Sequence, residues 1–358
     1  MQGYVNFVKR FTKPLYRVDM VKERVTGLKD VAAAAGVSVT TVSRMLNGSL
    51  DLPGETRKRI EDAIVALKYQ PNPHARRLSR GRSDTIGLVV PDIANPFFAT
   101  LVAAVEEEAD LRGLALSLYA TLNRPGREMA YLSLLERNHV DGLIFITNHP
   151  DQGELAAIIN RTGKVVVVDE DVPDATVPKL FCDNRQGGEL AGQHLAGFGH
   201  RHVLYIGGPD VMISTERRFT GFEAAMRAKH GENAVIERYC GDYTAEFGRQ
   251  AARRFLAGSR EATAIFASSD EIAIGVIEVL RAEGISIPEQ ISVIGFDDVG
   301  PLHLFAPPLT AIRQPVRGMG SRALSLLLDT DWQQPAKASE ELLPVEIVVR
   351  NSVAPPAK

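Results

Sequence analysis

The sequence predicts an α/β protein in two unequal parts: a small all-α helix-turn-helix head and a large two-subdomain core of parallel sheets with helices on both faces. Three observations carry this. From about residue 28 to 68 the hydrophobic period is helical, with no strand-like alternation. From residue 84 onward, short apolar runs alternate with amphipathic helical stretches, the pattern of repeated βαβ units. The charge divides at the same place: residues 1–83 hold 16 Lys+Arg against 7 Asp+Glu, a net of +9, while residues 84–358 hold 25 against 37, a net of −12, within a whole-chain −3. A positive field concentrated in so short a stretch suits a polyanion, because cationic side chains release condensed counterions from phosphates. On charge alone, a basic solvated terminus is the alternative.

The head comes first. Leu28, Val31, Ala32 and Ala35 share one face of a first helix, which Gly36 stops. Ser38 is a suitable N-cap for a second helix over Val39–Leu46, with Asn47-Gly48 as its stop. Pro53 and the run Thr56, Ile60, Ile64 and Leu67 give a third. Two short helices about a Gly-Val-Ser turn, followed by a supporting helix, form a helix-turn-helix pattern. The basic, Pro- and Gly-bounded stretch 70–83 reads as a linker. Within it, Asn72 and Pro73 supply an N-cap and N1 pair for a short helix over His74–Leu78 that is marginal alone.

In the core, buried parallel strands are expected at Ile86–Val90, Ala115–Tyr119, Gly142–Ile146, Val165–Val168, Val203–Ile206, Ala264–Ala267 and Ser292–Phe296. Phe98–Leu111 and Met129–Arg137 are amphipathic helices between them. About 275 residues exceed one doubly wound sheet of usual size, so two similar subdomains with a cleft between them are expected. The Pro-rich end, Asn351–Lys358, lacks leucine heptads and predicts no coiled coil.

The 45% apolar, 24% charged composition excludes wholesale disorder. No apolar run approaches 18 residues, which excludes a helical membrane span. The first 26 residues carry Lys9, Arg10, Lys13, Arg17, Lys22 and Arg24 without a secretory apolar stretch, so a cytoplasmic location is expected. Cys182 and Cys240 lack disulfide or metal spacing and read as core residues. Phosphate-loop, nucleophile-elbow and zinc-helix motifs are all missing, and the His200/His202 pair reads as a surface or capping feature. Neither an enzyme nor a metal or cofactor is expected. Acidic residues stand at strand ends, where open α/β sheets bind ligands: Asp92, Asp169, Asp270 and the Asp297-Asp298 pair. Paired carboxylates suit general acid/base work or sugar hydroxyls, and the second use needs no nucleophile.

Several motifs, in order, carry a resemblance. LKDVAAAAGVSVTTVSRMLNG (Leu28–Gly48) and YQPNPHARRL (Tyr69–Leu78) resemble the DNA-binding head and hinge of the lactose repressor and galactose repressor family of bacterial regulators. IGLVVPDIANPFF, VDGLIF, GHRHVLYIGGP, SDEIAIG, ISVIGFDD and PLTAIRQP continue it, so that coverage runs from about 27 to 353. The resemblance implies a periplasmic-binding-protein-like (type I) core whose cleft binds an effector that controls DNA affinity. It also implies interleaved subdomains, one at about 84–183 and 314–341, the other at about 184–313 and 342–358, after a head at 27–71 and a hinge at 72–83. Residues 1–26 read as an N-terminal extension, with Met20 as an alternative start.

The resemblance also assigns roles. Val39, Thr40 and Arg44 fall at positions of direct base readout, with Arg44 able to fork onto guanine; Ser38, Thr41 and Ser43 suit phosphates. Asn72, Ala75, Arg76 and Leu78 belong to the hinge, with Leu78 as a minor-groove wedge. Pro73 and His74 depart from the small and apolar residues usual there. Arg218 matches the family's ligand-clasping arginine and Asp297 its carboxylate partner, expected on opposite walls of the cleft. Phe97 and Tyr243 are stacking candidates, Asp169 and Asp270 second choices; Met212 replaces the arginine of nucleobase-binding relatives, which favours a saccharide. The expected partners are a near-palindromic double-stranded operator, a saccharide effector and a second copy of the chain. A transport-type sugar-binding protein and a carbohydrate enzyme are the alternatives; the first predicts a secretory leader and no DNA-binding head.

Overall fold

The computed structural model describes residues 26–46, 50–69, 83–137, 139–258, 261–332 and 339–357. The hinge residues Asn72, Ala75, Arg76 and Leu78, the Asn47-Gly48 stop and residues 1–25 lie outside the described residues. The chain divides into two compact units, Met1–Gly81 and Arg82–Lys358.

The first unit holds three helices, α1 (Leu28–Ala35), α2 (Val39–Leu46) and α3 (Gly54–Ala66). Gly36 takes the left-handed conformation (φ 66°), which ends α1 and turns the chain toward α2 within three residues. Ser38 Oγ then accepts from the Thr41 backbone N–H at 3.0 Å, satisfying one of the donors exposed at the start of α2. Val31, Val42 and Ile60, one from each helix, are fully buried and form the centre of a small core. No single helix has enough apolar surface to stand alone, so the three fold as one unit.

The second unit contains two six-stranded sheets. The first lobe is built on β1 (Thr85–Val90), β2 (Ala115–Ala120), β3 (Gly142–Phe145), β4 (Val165–Val168), β5 (Lys179–Cys182) and β11 (Glu340–Leu343), in the order β11-β5-β4-β3-β1-β2. The second uses β6 (His202–Gly207), β7 (Val235–Cys240), β8 (Ala264–Ala267), β9 (Ser292–Asp297), β10 (Thr310–Arg313) and β12 (Glu346–Val348), in the order β12-β10-β9-β8-β6-β7. Every pairing is parallel except β10 with β12. The central strands are buried on both faces, as continuous valine and isoleucine runs require.

The helices between the strands are α4 (Pro96–Leu111), α5 (Pro125–Glu136), α6 (Glu154–Thr162), α7 (Asn184–Gly197), α8 (Ile213–His230), α9 (Ala245–Ala257), α10 (Asp270–Ala282) and α11 (Val316–Asp329). The chain passes between the sheets three times: after Cys182, after Arg313, and between Leu343 and Glu346. After the second passage α11 returns to pack on α4 in the first lobe.

Three expectations need correction. β2, expected as a buried strand, is the outer strand of its sheet and is exposed or half-buried along its length. Cys240 is half-buried on the edge strand β7, beside Arg238, not in the core. His200 is neither exposed nor a cap: its buried ring bridges Thr263 Oγ1 (2.8 Å) and the Ala354 carbonyl (2.9 Å), pinning the C-terminal segment to the second sheet.

Candidate functional site

On the first unit, α2 divides cleanly into two faces. Val42 faces the core, while Ser38, Val39, Thr40 and Arg44 are exposed and Thr41 and Ser43 are partly so. Val39 is 39% exposed. Val39 is neither in the apolar core of the unit nor among the side chains packed against it, so this face of α2 is open to a partner.

On the second unit, a cleft lined by polar and aromatic side chains of both lobes lies between them. Its first-lobe wall comes from the C-terminal ends of parallel strands: Asp92 after β1, Asn123 after β2, Asn148 after β3, Asp169 and Glu170 after β4. Phe97 joins them from the first turn of α4. Asn95 caps that helix by accepting from the Phe97 N–H at 2.9 Å, and Pro96 occupies its first position. Phe97 meets Phe98 edge to face at 5.2 Å.

The second-lobe wall carries Ser214, Arg218, Tyr243, Ser269 and Asp297. Arg218 reaches it because α7 and α8 cross closely. Gly188 and Gly221 allow this: a Cβ on Gly188 would collide with the Arg218 carbonyl, and one on Gly221 with that of Arg185. The Arg218 guanidinium is buried, stacked on the Phe296 ring at 3.8 Å. Its Nε donates to Asn184 Oδ1 (2.7 Å) and its Nη1 to the Ser268 carbonyl (2.6 Å), with Asp297 Oδ1 at 3.8 Å. Asp297 is held in turn by Gln314, whose Nε2 donates to Oδ1 at 2.7 Å. Gln314 Oε1 is buried without a hydrogen-bond partner among the described residues. Asp169 (φ 73°) and Asp297 (φ 91°) both adopt positive φ, a backbone cost that concentrates at ligand sites.

Burial dominates the electrostatics. It pushes Asp169 up to about 6, with the Arg218 charge pulling down and Asp297 pushing up. It pushes Glu170 up to about 8, aided by Asp169 and opposed by hydrogen bonds from Ser214. It also raises Asp297, against Arg218 and Gln314. Glu170 has a second role in the geometry: although it belongs to the first lobe, its carboxyl accepts from the backbone N–H groups of Ile213 (3.1 Å) and Ser214 (3.3 Å), at the start of α8 in the second. Ser214 Oγ hydrogen-bonds to the same carboxyl.

Of the sequence-predicted effector residues, Phe97, Asp169, Arg218, Tyr243 and Asp297 meet in this cleft. Asp270 does not. Its carboxylate turns to the loop after β9 and accepts from the N–H groups of Asp298 (3.1 Å), Val299 (2.9 Å) and Gly300 (2.7 Å), so it shapes the wall without facing the cleft. Arg218 and Asp297 are not on opposite walls; both belong to the second lobe, and the bond across the cleft runs through Glu170 instead. Asp298 does not pair with Asp297 as a double carboxylate, because Arg350 holds it bidentately at 2.8 and 2.9 Å. Tyr243 packs its ring against Gly208, and its hydroxyl hydrogen-bonds to Thr215 Oγ1 (2.8 Å) and Ser214 Oγ (3.1 Å). Sequence reasoning missed Asn123, Asn148, Glu170, Ser214 and Gln314. The first two stand just past strand ends and were open to the same reasoning that singled out Asp92; Ser214 and Gln314 carry no such signal.

Among the described residues, no helix is long and apolar enough to cross a membrane. Residues 27–72 match the family described as bacterial regulatory proteins, lacI family, and residues 193–353 a periplasmic binding protein-like domain. The HTH-type transcriptional regulator DegA of Bacillus subtilis is 34% identical over 92% of this chain and 98% of its own length. Among solved structures, the lac repressor dimer bound to operator and the anti-inducer ONPF superposes with a TM-score of 0.80, at 28% identity, over 92% of this chain and 99% of that one. The complex of the transcriptional regulator CelR with cellobiose gives 0.68 at 31% identity, over 91% and 99%. An outward-facing helix in a basic head, a polar cleft between two parallel-sheet lobes and a relative matched over nearly its whole length lead to one conclusion: the chain belongs to the lacI family of bacterial regulatory proteins and is a DNA-binding transcriptional regulator, not an enzyme.

Proposed function

We propose that this regulator is a cytoplasmic repressor whose affinity for a near-palindromic operator is set by a saccharide bound between the lobes. The observation that carries the reading is the buried Arg218 and Asp297 pair, 3.8 Å apart in a polar cleft whose other wall presents Asp169, Asn123, Asn148 and the Phe97 ring. Charge-assisted hydrogen bonds and amides suit vicinal hydroxyls, an aromatic face suits a sugar ring, and the unpartnered Gln314 Oε1 awaits a donor. The sugar named in the CelR complex fits the same reading.

On the DNA side, Arg44 donates to guanine, Val39 and Thr40 meet base edges or a thymine methyl, and Ser38, Thr41 and Ser43 contact phosphates. The hinge residues Asn72, Ala75, Arg76 and Leu78 are assigned to the minor groove, with Leu78 as the wedge. One head of about 45 residues reads too little DNA alone, so two act together through a dimer made by the core. Met212, buried at the start of α8, is not a group that would hydrogen-bond a nucleobase. The division into head, hinge and interleaved lobes given above is the working frame for this mechanism. The test is operator titration of the full chain with and without a panel of saccharides. Operator affinity should shift by roughly 5 to 150-fold with one of them; a protein that binds operator yet ignores every sugar that stabilises its core would overturn the coupling.

A further inference from the structure

The cleft has an unusual charge balance. Its lining includes the carboxyl groups of Asp92, Asp169, Glu170 and Asp297, against the single guanidinium of Arg218 and no lysine or histidine. Its Nε and Nη1 are already engaged by Asn184, the Ser268 carbonyl and Asp297, and its face is covered by Phe296. Nη2, outside these bonds, can donate to a hydroxyl, but a bidentate fork to a phosphate or carboxylate would have to break one of them.

Four helices begin at the cleft: α4, α9 and α10 are capped by the side chains of Asn95, Thr244 and Ser269, whereas the N-cap of α8, Met212, makes no such bond, so the start of α8 is the helix end left to take an anion. There, unpaired N–H groups and the helix dipole point at the opposite lobe. In this protein that position is filled from within. Glu170, 4% exposed, reaches across from the end of β4, and its two carboxyl oxygens take the Ile213 and Ser214 N–H groups together with the Ser214 hydroxyl. A ligand anion would have to displace this carboxyl and then sit beside Asp169 and Asp297.

We propose that Glu170 excludes anions from the cleft, so that the effector is an uncharged or amine-bearing saccharide and sugar phosphates and sugar acids are rejected. The inference rests on the saccharide reading above and deepens it. Amides and carboxylates remain as acceptors for hydroxyl or ammonium donors, and Asn123 and Asn148, about the mouth, can donate to hydroxyl oxygens. An anion here would find both N–H groups already taken by Glu170 and would lie beside Asp169 and Asp297, and the expected loss is roughly 100-fold in affinity.

The experiment is thermal stabilisation of the full chain by matched series of pentoses, hexoses and disaccharides. Each neutral sugar is tested beside its amino, uronic-acid and phosphorylated derivatives. A neutral or amino member should stabilise the protein while the acid and phosphate of the same sugar bind roughly 100-fold more weakly or not at all. An acid or phosphate that binds as tightly as its neutral parent overturns the proposal and leaves the saccharide reading standing. A panel in which nothing binds overturns the saccharide reading itself. Glu170→Ala, which frees the two N–H groups, should then gain at least about tenfold in affinity for the rejected acid or phosphate. Should that variant fail to fold, Glu170→Ser reads the same gain; no gain in a folded variant shows that Glu170 is not the excluding group.

Discussion

Glu170 makes a stability prediction that can be worked from its surroundings. In the unfolded chain its carboxyl titrates near 4.5, whereas in the folded protein burial and the neighbouring Asp169 push it up to about 8. Between these values the folded state holds a proton that the unfolded state has released. Stability therefore falls as pH rises through this window and is greatest on its acid side. At about 1.4 kcal/mol per unit, the full interval is on the order of 5 kcal/mol, of which roughly 3 to 4 falls between pH 5 and pH 8. A unit of this size loses roughly 2 to 4 °C in Tm per kcal/mol, so the ligand-free protein should melt about 10 °C lower at pH 8 than at pH 5 from this group alone. Asp169 and Asp270 are raised by burial too and tilt the profile the same way, so the variant isolates Glu170. Gln at 170 cannot ionise, and its one carbonyl oxygen replaces only one of the two oxygens used by the Ile213 and Ser214 N–H groups, so the readout is the slope with pH and not the absolute stability. The assay is thermal denaturation of wild type and Glu170→Gln from pH 5 to 8.5. The wild type should lose Tm from pH 5 to pH 8 more steeply than the variant; parallel profiles would refute the argument.

The remaining predictions concern the clasp, the helix crossing and the head. Arg218→Ala should abolish saccharide binding and also lower core stability by about 3 to 5 kcal/mol, because it strands Asp297 and Asp169 as buried carboxylates; urea unfolding beside ligand titration checks both. Gly188→Ala should force α7 and α8 apart and cost more than 1 kcal/mol, with loss of the Arg218 to Asn184 hydrogen bond visible as weakened ligand affinity. Arg44→Ala should cost roughly 1 to 3 kcal/mol on the cognate operator and flatten discrimination at one base pair; unchanged discrimination among single-mismatch duplexes removes it from base readout.

The two-part α/β fold was legible because its signals are physical necessities. Central parallel strands must be apolar on both faces, so Val165–Val168 and Ala264–Ala267 stand out in the sequence. The strands not foreseen lie mainly toward sheet edges. The clearest case is β7, with the sequence VIERYC, whose residues are exposed or half-buried and mix charge with apolar groups; β12 has only three residues and closes its sheet antiparallel. A similar limit applies in the cleft. Strand-end reasoning reached Asp169 and Asp297, which stand where their strands stop. It misjudged Asp270, because a carboxylate at a helix start serves a neighbouring loop as readily as a ligand, and only the path of residues 298–300 decides between them. Glu170, one residue past Asp169, carries no signal of its own; its meaning depends on a helix from the other lobe that arrives more than 40 residues later.

The three passages of the chain between the sheets bear on how the protein is made. The first lobe cannot be completed when its five leading strands leave the ribosome, because its edge strand β11 and the covering helix α11 are encoded only at Glu340–Leu343 and Val316–Asp329. Until then β5 is an open edge, and the surface of α4 around Ala104, on which Gly320 of α11 will sit, is wet. The head, whose core residues all lie between 28 and 69, has its partners early, whereas both lobes wait for strands beyond residue 339. A nascent chain can therefore hold a finished DNA-reading head long before it has a finished sensor.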